Sequence, residues 1–351
     1  MTPAATSQDS ARKGRSNRNA YGLAILLLLA FGLWLGRGHA HLDWASLPGQ
    51  FRAVSWGRLA LGVALIYVSY GLRAVRWSVL LSPVRRTPAW HLLPAQLIGF
   101  TAVAIFGRVA DLARPYMIAR RLHSPIATQL AIYSIERAFD LASAAILFSV
   151  TLAFAPRDMP HHAAFARVGA LSLAGTLLLL AVALAVRFAG DLFSRLTQRA
   201  VHPISPRLAT AAAARVLDLR EGFRTISTVR EFLTALVISL VMWMGIAGSY
   251  LCSTTAFRAS PVLAAFTLPQ TMLLLASGLG GSLLQLPVLG WFTQIAVLAA
   301  ALHGFFGVPL ETATACGAAI LVVTNLCIVP AGLIAARVQG VALRDAVVSD
   351  K

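Results

Sequence analysis

The stretch IFGRVADLARPYMIARR, residues 105–121, decides how this chain is read. It carries Arg108, Asp111 and Arg114 at intervals of three, then Pro115, and it lies between apolar runs long enough to sit in a membrane. On a helix that spacing puts the three charges along one flank, so Asp111 is placed to pair with both arginines while the opposite side stays apolar. A charge at the bilayer centre costs roughly 2.5–3.5 kcal/mol on insertion scales, and pairing or a wet cavity lowers that cost. Pro115 disfavours helix at Arg114, and irregular backbone at membrane depth is tolerated only where protein buries it or it lines a cavity. The stretch is therefore expected to break a helix and wall a polar cavity. The competing reading is a cytoplasmic helix end whose arginines anchor among headgroups.

Composition agrees with lipid as the main solvent. Of 351 residues 58% are hydrophobic and 12% charged, the mean hydropathy is +0.74, and several apolar runs are too long for a soluble core. The expectation is an all-α polytopic membrane protein of about seven to eight transmembrane helices, by span length, with two broken or re-entrant regions. Lys and Arg number 30 against 13 Asp and Glu, a net charge of +17, and they cluster between the apolar runs as cytoplasmic loops do. No aromatic-laced basic platform or DNA-reading motif accompanies them, so nucleic acid is not an expected partner. Cys252, Cys316 and Cys327 sit in apolar segments without ligand spacing and read as small hydrophobes.

Residues 1–20 read as a basic cytoplasmic tail, 21–338 as one transmembrane domain and 339–351 as a C-terminal tail. Arg12, Lys13, Arg15 and Arg18 precede the apolar run Tyr21 to Gly36, which is read as a retained first span rather than a cleaved signal. Further spans are expected near 59–81, 127–154, 165–186 and 232–255, with a polar elbow APRDMPHH at 155–162. The region from Trp90 to Tyr116 is punctuated by Pro94, Gly99, Gly107 and Pro115, which suggests half-helices. From 190 to 230 arginines are spread among alanine and leucine, as in an amphipathic helix at the headgroups. The second half pairs an intact span with another broken region, TLPQTMLLLASGLGGSLLQLPVLGWFTQ, then apolar runs at 295–306 and 312–336. Broken segments in corresponding positions suggest an inverted repeat.

Two more polar groups accompany the opening stretch. In YSIERAFDLASA, Glu136 and Asp140 share a helix face and Arg137 precedes Asp140 by three, leaving one negative charge that Arg108 or Arg114 would balance. This set reads equally as an interhelical clamp or as a substrate contact. Arg73 and Arg76 in YGLRAVRWSVLL form a third cationic step, expected near the inner interface. Gly278, Gly280 and Gly281 free backbone N–H groups for an anionic headgroup, or serve close packing. No nucleophile elbow, P-loop, zinc-protease or dinucleotide motif occurs, so no enzyme, cofactor or metal site is expected. His161 and His162 read as surface elbow.

The order RAVRW, GRVADLARPYMIARR, IERAFDL and SGLGG, from about residue 57 to 338, resembles the lysylphosphatidylglycerol synthase transmembrane family, the flippase-like membrane proteins. Arg108 and Arg114 match the arginines of the family's first motif and Asp111 stands where its Glu would be. Glu136, Arg137 and Asp140 match the family's Glu-Arg and following Asp. Gly278, Gly280, Gly281 and Pro287 match the second broken region, but VLGWFTQ replaces its glycine-rich, acidic continuation. The resemblance implies a domain that moves or binds lipids with polar headgroups, without the soluble aminoacyl-transferase domain of some members. An inner-membrane lipid translocase with a cytoplasmic N-terminus is thus expected, its partner an anionic phospholipid or a polyprenyl-phosphate-linked lipid. The alternatives are a membrane scaffold that uses residues 190–230 to organise a cytoplasmic enzyme, and a transferase with Asp111 or Glu136 as base.

Overall fold

The computed structural model describes residues 46–154, 162–203, 228–281 and 289–340, with 205, 206, 208 and 210. Among them all regular structure is helical, apart from one isolated antiparallel bridge, Val54 to Phe257. In chain order the helices are α1 (Leu47–Gln50), α2 (Trp56–Leu81), α3 (Ala89–Phe106), a 3-10 turn (Arg108–Leu112), α4 (Ala113–Leu122), α5 (Ile126–Ala153) and α6 (His162–Val201). They continue as α7 (Val229–Thr255), α8 (Pro261–Ala264), α9 (Leu268–Gly281), α10 (Leu289–Phe306), α11 (Leu310–Leu321), a π-turn (Val322–Leu326) and α12 (Ile328–Val338). Four stretches, α2, α3, α7 and α11 through α12, are long and apolar enough to cross a membrane. The chain has the apolar helices of a multi-pass membrane protein. The expected first span and the 282–288 tip of the second broken region lie outside the described residues.

The spine is the antiparallel pair α2 and α7. Gly62 faces Ser249, Ser69 faces Gly245 and donates to the Met242 carbonyl at 3.3 Å, and Ser82 reaches Glu231. Small side chains at these crossings let two backbones approach closely, which is how helices associate where lipid supplies no hydrophobic drive. Each half of the chain then adds a hairpin. The first is α3, the 3-10 turn and α4, with Gly99 and Gln96 of α3 against Arg114 of α4. Its two ends return to one end of the spine, where Arg85 donates to the Leu122 carbonyl at 2.8 Å. The second is α9 and α10, with Gly278 beside Leu298 and the Phe266 and Phe306 rings 4.9 Å apart at the opposite end. The hairpins touch where Trp291 Nε1 donates to the Ala104 carbonyl at 2.8 Å.

Two expectations need correction. The helix breaks at Gly107, whose φ of 74° suits glycine, and not at Pro115. Pro115 instead occupies the first turn of α4, where its missing N–H would have had no helical partner anyway. The span expected at 165–186 and the segment from 190 are one continuous forty-residue helix, α6. Gly190 does not stop it, because an interior glycine costs only about 1 kcal/mol relative to alanine. At about 60 Å it is roughly twice the thickness of a bilayer core.

Side chains from the first half donate to the carbonyls that follow the π-turn at the start of α12. Tyr67 Oη donates to the Cys327 carbonyl at 2.7 Å and Thr101 Oγ1 to the Ile328 carbonyl at 3.2 Å. Below it α12 packs on α3 at Gly332, where a Cβ would overlap Thr101 Oγ1 and stand 2.7 Å from the Leu97 carbonyl. Gly332→Ala is therefore expected to cost about 1–3 kcal/mol as an overpacked contact, read as a lowered Tm in detergent. Gly304→Ala, where a Cβ meets nothing within 4 Å, serves as the control and should leave Tm unchanged or raise it.

Candidate functional site

The charged residues of three separate sequence stretches converge where α2, the first hairpin, α5 and α7 meet. Glu136 of α5 is at the centre and is fully buried. Its Oε1 accepts from Arg76 Nη2 of α2 at 2.9 Å, and its Oε2 accepts from Arg114 Nη1 of α4 at 3.2 Å. Arg76 also donates to Asp140 Oδ1 at 2.8 Å and to Ser239 Oγ of α7 at 2.7 Å. Arg114 also donates to Asp111 Oδ1 at 2.9 Å and to Gln96 Oε1 at 3.1 Å. Arg73 lies 3.4 Å from Asp140 and 3.5 Å from Glu136. Arg137 lies 3.1 Å from Asp140 and 3.4 Å from Glu136.

Local sequence explains how these side chains arrive. Arg73 and Arg76 are three apart on α2, and Glu136 and Asp140 four apart on α5, so each pair shares a face toward the other helix. Gly107 ends α3 and allows the chain to double back, which carries Arg114 alongside α3. Gly99 then makes room, because a Cβ there would overlap the Arg114 stem at Cγ. Phe100 supplies a π-face between two cations, 4.3 Å from the Arg114 guanidinium and 4.9 Å from that of Arg73. Such contacts contribute roughly 0.5–2 kcal/mol each, more where water is excluded. Tyr133 Oη donates to Asp111 Oδ2 at 2.6 Å, and Trp243 Nε1 to Asp140 Oδ1 at 3.4 Å.

Of the residues singled out from sequence, Arg73, Arg76, Asp111, Arg114, Glu136, Arg137 and Asp140 belong to this one cluster. Arg108 opens the 3-10 turn, and its side chain lies outside the described residues. Gly280 and Gly281 end α9; the nearby Gly278 packs on Tyr250 and Leu298, away from the arginines. Arg76 is fully buried rather than at the interface, because two carboxylates and a serine replace its water. Gln96, Gly99, Phe100, Tyr133, Ser239 and Trp243 were not foreseen as cluster members. A lone amide in the apolar α3 was the one signal available for Gln96.

A family model described as the lysylphosphatidylglycerol synthase TM region matches residues 19–332. The chain belongs to that family. No curated protein matches it. Within this member of the lysylphosphatidylglycerol synthase TM family the matched span contains the whole cluster and both hairpins.

Four arginines face three carboxylates here, so the described side chains carry 4 − 3 = +1. The hydrogen-bond account has the same sign. The cluster's buried polar atoms left without a partner are Nε of Arg76, Arg114 and Arg137, Nη2 of Arg137, which meets its carboxylates without hydrogen-bond geometry, and Nε2 of Gln96. Every one is a donor; the carboxylate oxygens are occupied. Removing one partner from a buried ion network leaves charges uncompensated. Glu136→Ala is accordingly expected to cost about 3–5 kcal/mol, seen as a large fall in Tm or loss of the monodisperse fraction in detergent. Arg137→Ala, at a side chain 31% exposed, should shift Tm far less.

Proposed function

We propose that this protein binds the anionic, phosphate-bearing headgroup of a membrane lipid at the arginine cluster and carries it across the bilayer. The observation that supports this best is the surplus of one positive charge together with buried donors lacking acceptors. A phosphate group is a negatively charged acceptor without donors at neutral pH, and arginine's planar fork suits it. Glu136, held by arginines through both oxygens, is poorly placed to act as a general base, which favours binding over catalysis.

Depth and orientation fit the same reading. Glu136 and Ser239 each lie ten positions into helices that start at one end of the spine, about 15 Å from it and so near the middle of a bilayer core about 30 Å thick. Arg85, Arg86, Arg120, Arg121, Arg230 and Arg337 are all exposed toward that end, which the positive-inside preference assigns to the cytoplasm. The first hairpin then enters and leaves on the cytoplasmic side and the second on the outer side. Because α2 and α7 are antiparallel and each precedes a hairpin, the two halves read as an inverted repeat whose hairpins touch at depth, at Trp291 and Ala104. The inner membrane of a bacterium is the setting we assign to it.

A second reading is favoured by α6, which outlasts the bilayer and ends in exposed Arg195 and Arg199: a scaffold for a cytoplasmic enzyme. The two separate by measurement. Lipids retained by the purified protein are quantified by mass spectrometry, and translocation of fluorescent lipids is followed in vesicles, for wild type and Arg137→Gln. Headgroup binding predicts enrichment of an anionic lipid and a translocation rate that both fall about tenfold in the variant, as for loss of one charge-assisted bond. Bulk lipid in both proteins would refute it and leave the scaffold.

A further inference from the structure

The cluster is closed on most sides and open along one seam. Arg76, Arg114 and Glu136 have no exposed side-chain surface, whereas Arg137 is 31% and Asp111 13% exposed. These two lie on either side of Tyr133, which donates to Asp111 and has the Arg137 guanidinium 5.2 Å from its ring centroid. Together they mark the line where α5 meets the 3-10 turn. Beside that line run apolar side chains directed away from the protein, with Leu141 73% and Leu112 55% exposed. On α5 Ile126, Leu130, Ser134, Ala138 and Leu141 are exposed along one helical stripe, and Arg137 is three residues after Ser134 and four before Leu141. Arg137 therefore stands at the edge of a lipid-facing stripe, with its guanidinium directed back to Asp140 and Glu136.

We infer that the ligand enters this site sideways from the bilayer, its acyl chains on the Leu112 and Leu141 flank and its phosphate meeting Arg137 first. This rests on the lipid-headgroup reading above and adds to it a route and a division of labour. Arg76 and Arg114 hold the helices together, each with two carboxylates already on it. Arg137 is the exchangeable member, because its Nη2 meets both carboxylates without hydrogen-bond geometry and its Nε has no partner. Those two nitrogens are buried while the side chain as a whole is 31% exposed, so a phosphate at the seam meets the exposed part of Arg137 first and reaches its Nε and Nη2 as the guanidinium turns outward. The occupant is an amphiphile rather than a free anion, since the approach to the charge is walled by leucine, and a hydrated inorganic ion gains nothing from that wall. Opposite charge at the seam and apolar surface beside it match the two parts of one lipid molecule.

The test places a photo-crosslinking benzoylphenylalanine at Leu141, at Leu112 or, as control, at Ile334, which is also lipid-exposed but lies on α12. The full chain is reconstituted in vesicles of equal phosphatidylglycerol and phosphatidylcholine, and crosslinked lipid is identified by mass spectrometry. The expected result is phosphatidylglycerol enriched about tenfold over phosphatidylcholine at positions 141 and 112, and not at 334, the ratio falling toward one when Arg137→Gln is added. Arg137→Lys, which keeps the charge, should restore part of the enrichment. Millimolar inorganic phosphate should leave it unchanged; if phosphate abolishes it, the ligand is a free anion. Equal ratios at all three positions, in protein that still retains anionic lipid on purification, overturn lateral entry while sparing the headgroup reading. Equal ratios with no retained anionic lipid overturn both.

Discussion

The carboxylate of Glu136 is the point on which this architecture depends. Its two oxygens are shared among Arg76 from α2 and Arg114 from α4, with Arg73 and Arg137 at 3.5 and 3.4 Å. A charge buried without a partner is among the most costly events in a fold, so none of these helices can leave without stranding charge on another. Asp140 extends the constraint through Arg76, and Arg76 extends it to Ser239 of α7. In a medium where hydrophobic burial does not distinguish protein from lipid, such bonds fix which helix stands next to which. They also explain why a stretch as polar as residues 108–121 sits within an apolar chain.

Much of this was legible from sequence, and what was not has physical reasons. A charge in an apolar run must find a partner, so Arg73, Arg76, Asp111, Arg114, Glu136, Arg137 and Asp140 could be named before any contact was known. Which charge meets which could not, because Arg76 and Glu136 are sixty residues apart in sequence and a charge carries no address. Sequence alone puts the break at Pro115, because proline is the louder breaker. In a first helical turn it is harmless, and the φ of Gly107 does the turning. Gly99 was read as punctuation, whereas its service is volume: Arg114 fills the space a side chain would occupy. The fusion of the span expected at 165–186 with the arginine-rich segment into α6 is hard to read from sequence, since a charge gradient along a helix looks like a boundary.

The two ends of the spine are chemically unlike. Around the first hairpin the cluster's contacts are ionic, while among the described residues of the second the polar contacts made by Trp291 and Gln294 are neutral: Asn325 donates to Gln294 at 3.1 Å, and Trp291 donates to a carbonyl of the first hairpin. The departure of VLGWFTQ from the family pattern falls here, and it is Trp291 and Gln294 of that stretch that make these bonds. Among the described residues the two hairpins are thus joined by a neutral hydrogen bond, Trp291 to Ala104, of the kind that contributes about 0.5–1.5 kcal/mol net.

That contrast bears on whether the arginine cluster is a clamp or a binding site. A clamp needs neutrality: buried ion pairs of good geometry barely offset their own desolvation, and well-packed apolar side chains hold helices equally well. A cluster that only fastened helices would gain stability from losing the unmatched cation, yet Arg137 remains, with buried donors that meet no acceptor. Unmet donors beside a surplus charge are a standing cost, and on the headgroup reading proposed above a phosphate would offset both at once. On that reading the same balance would limit affinity, because the carboxylates that steady Arg137 would compete with a phosphate for it. A lipid carrier, as proposed above, would need that compromise: a site that held phosphate too well would bind lipid and never release it.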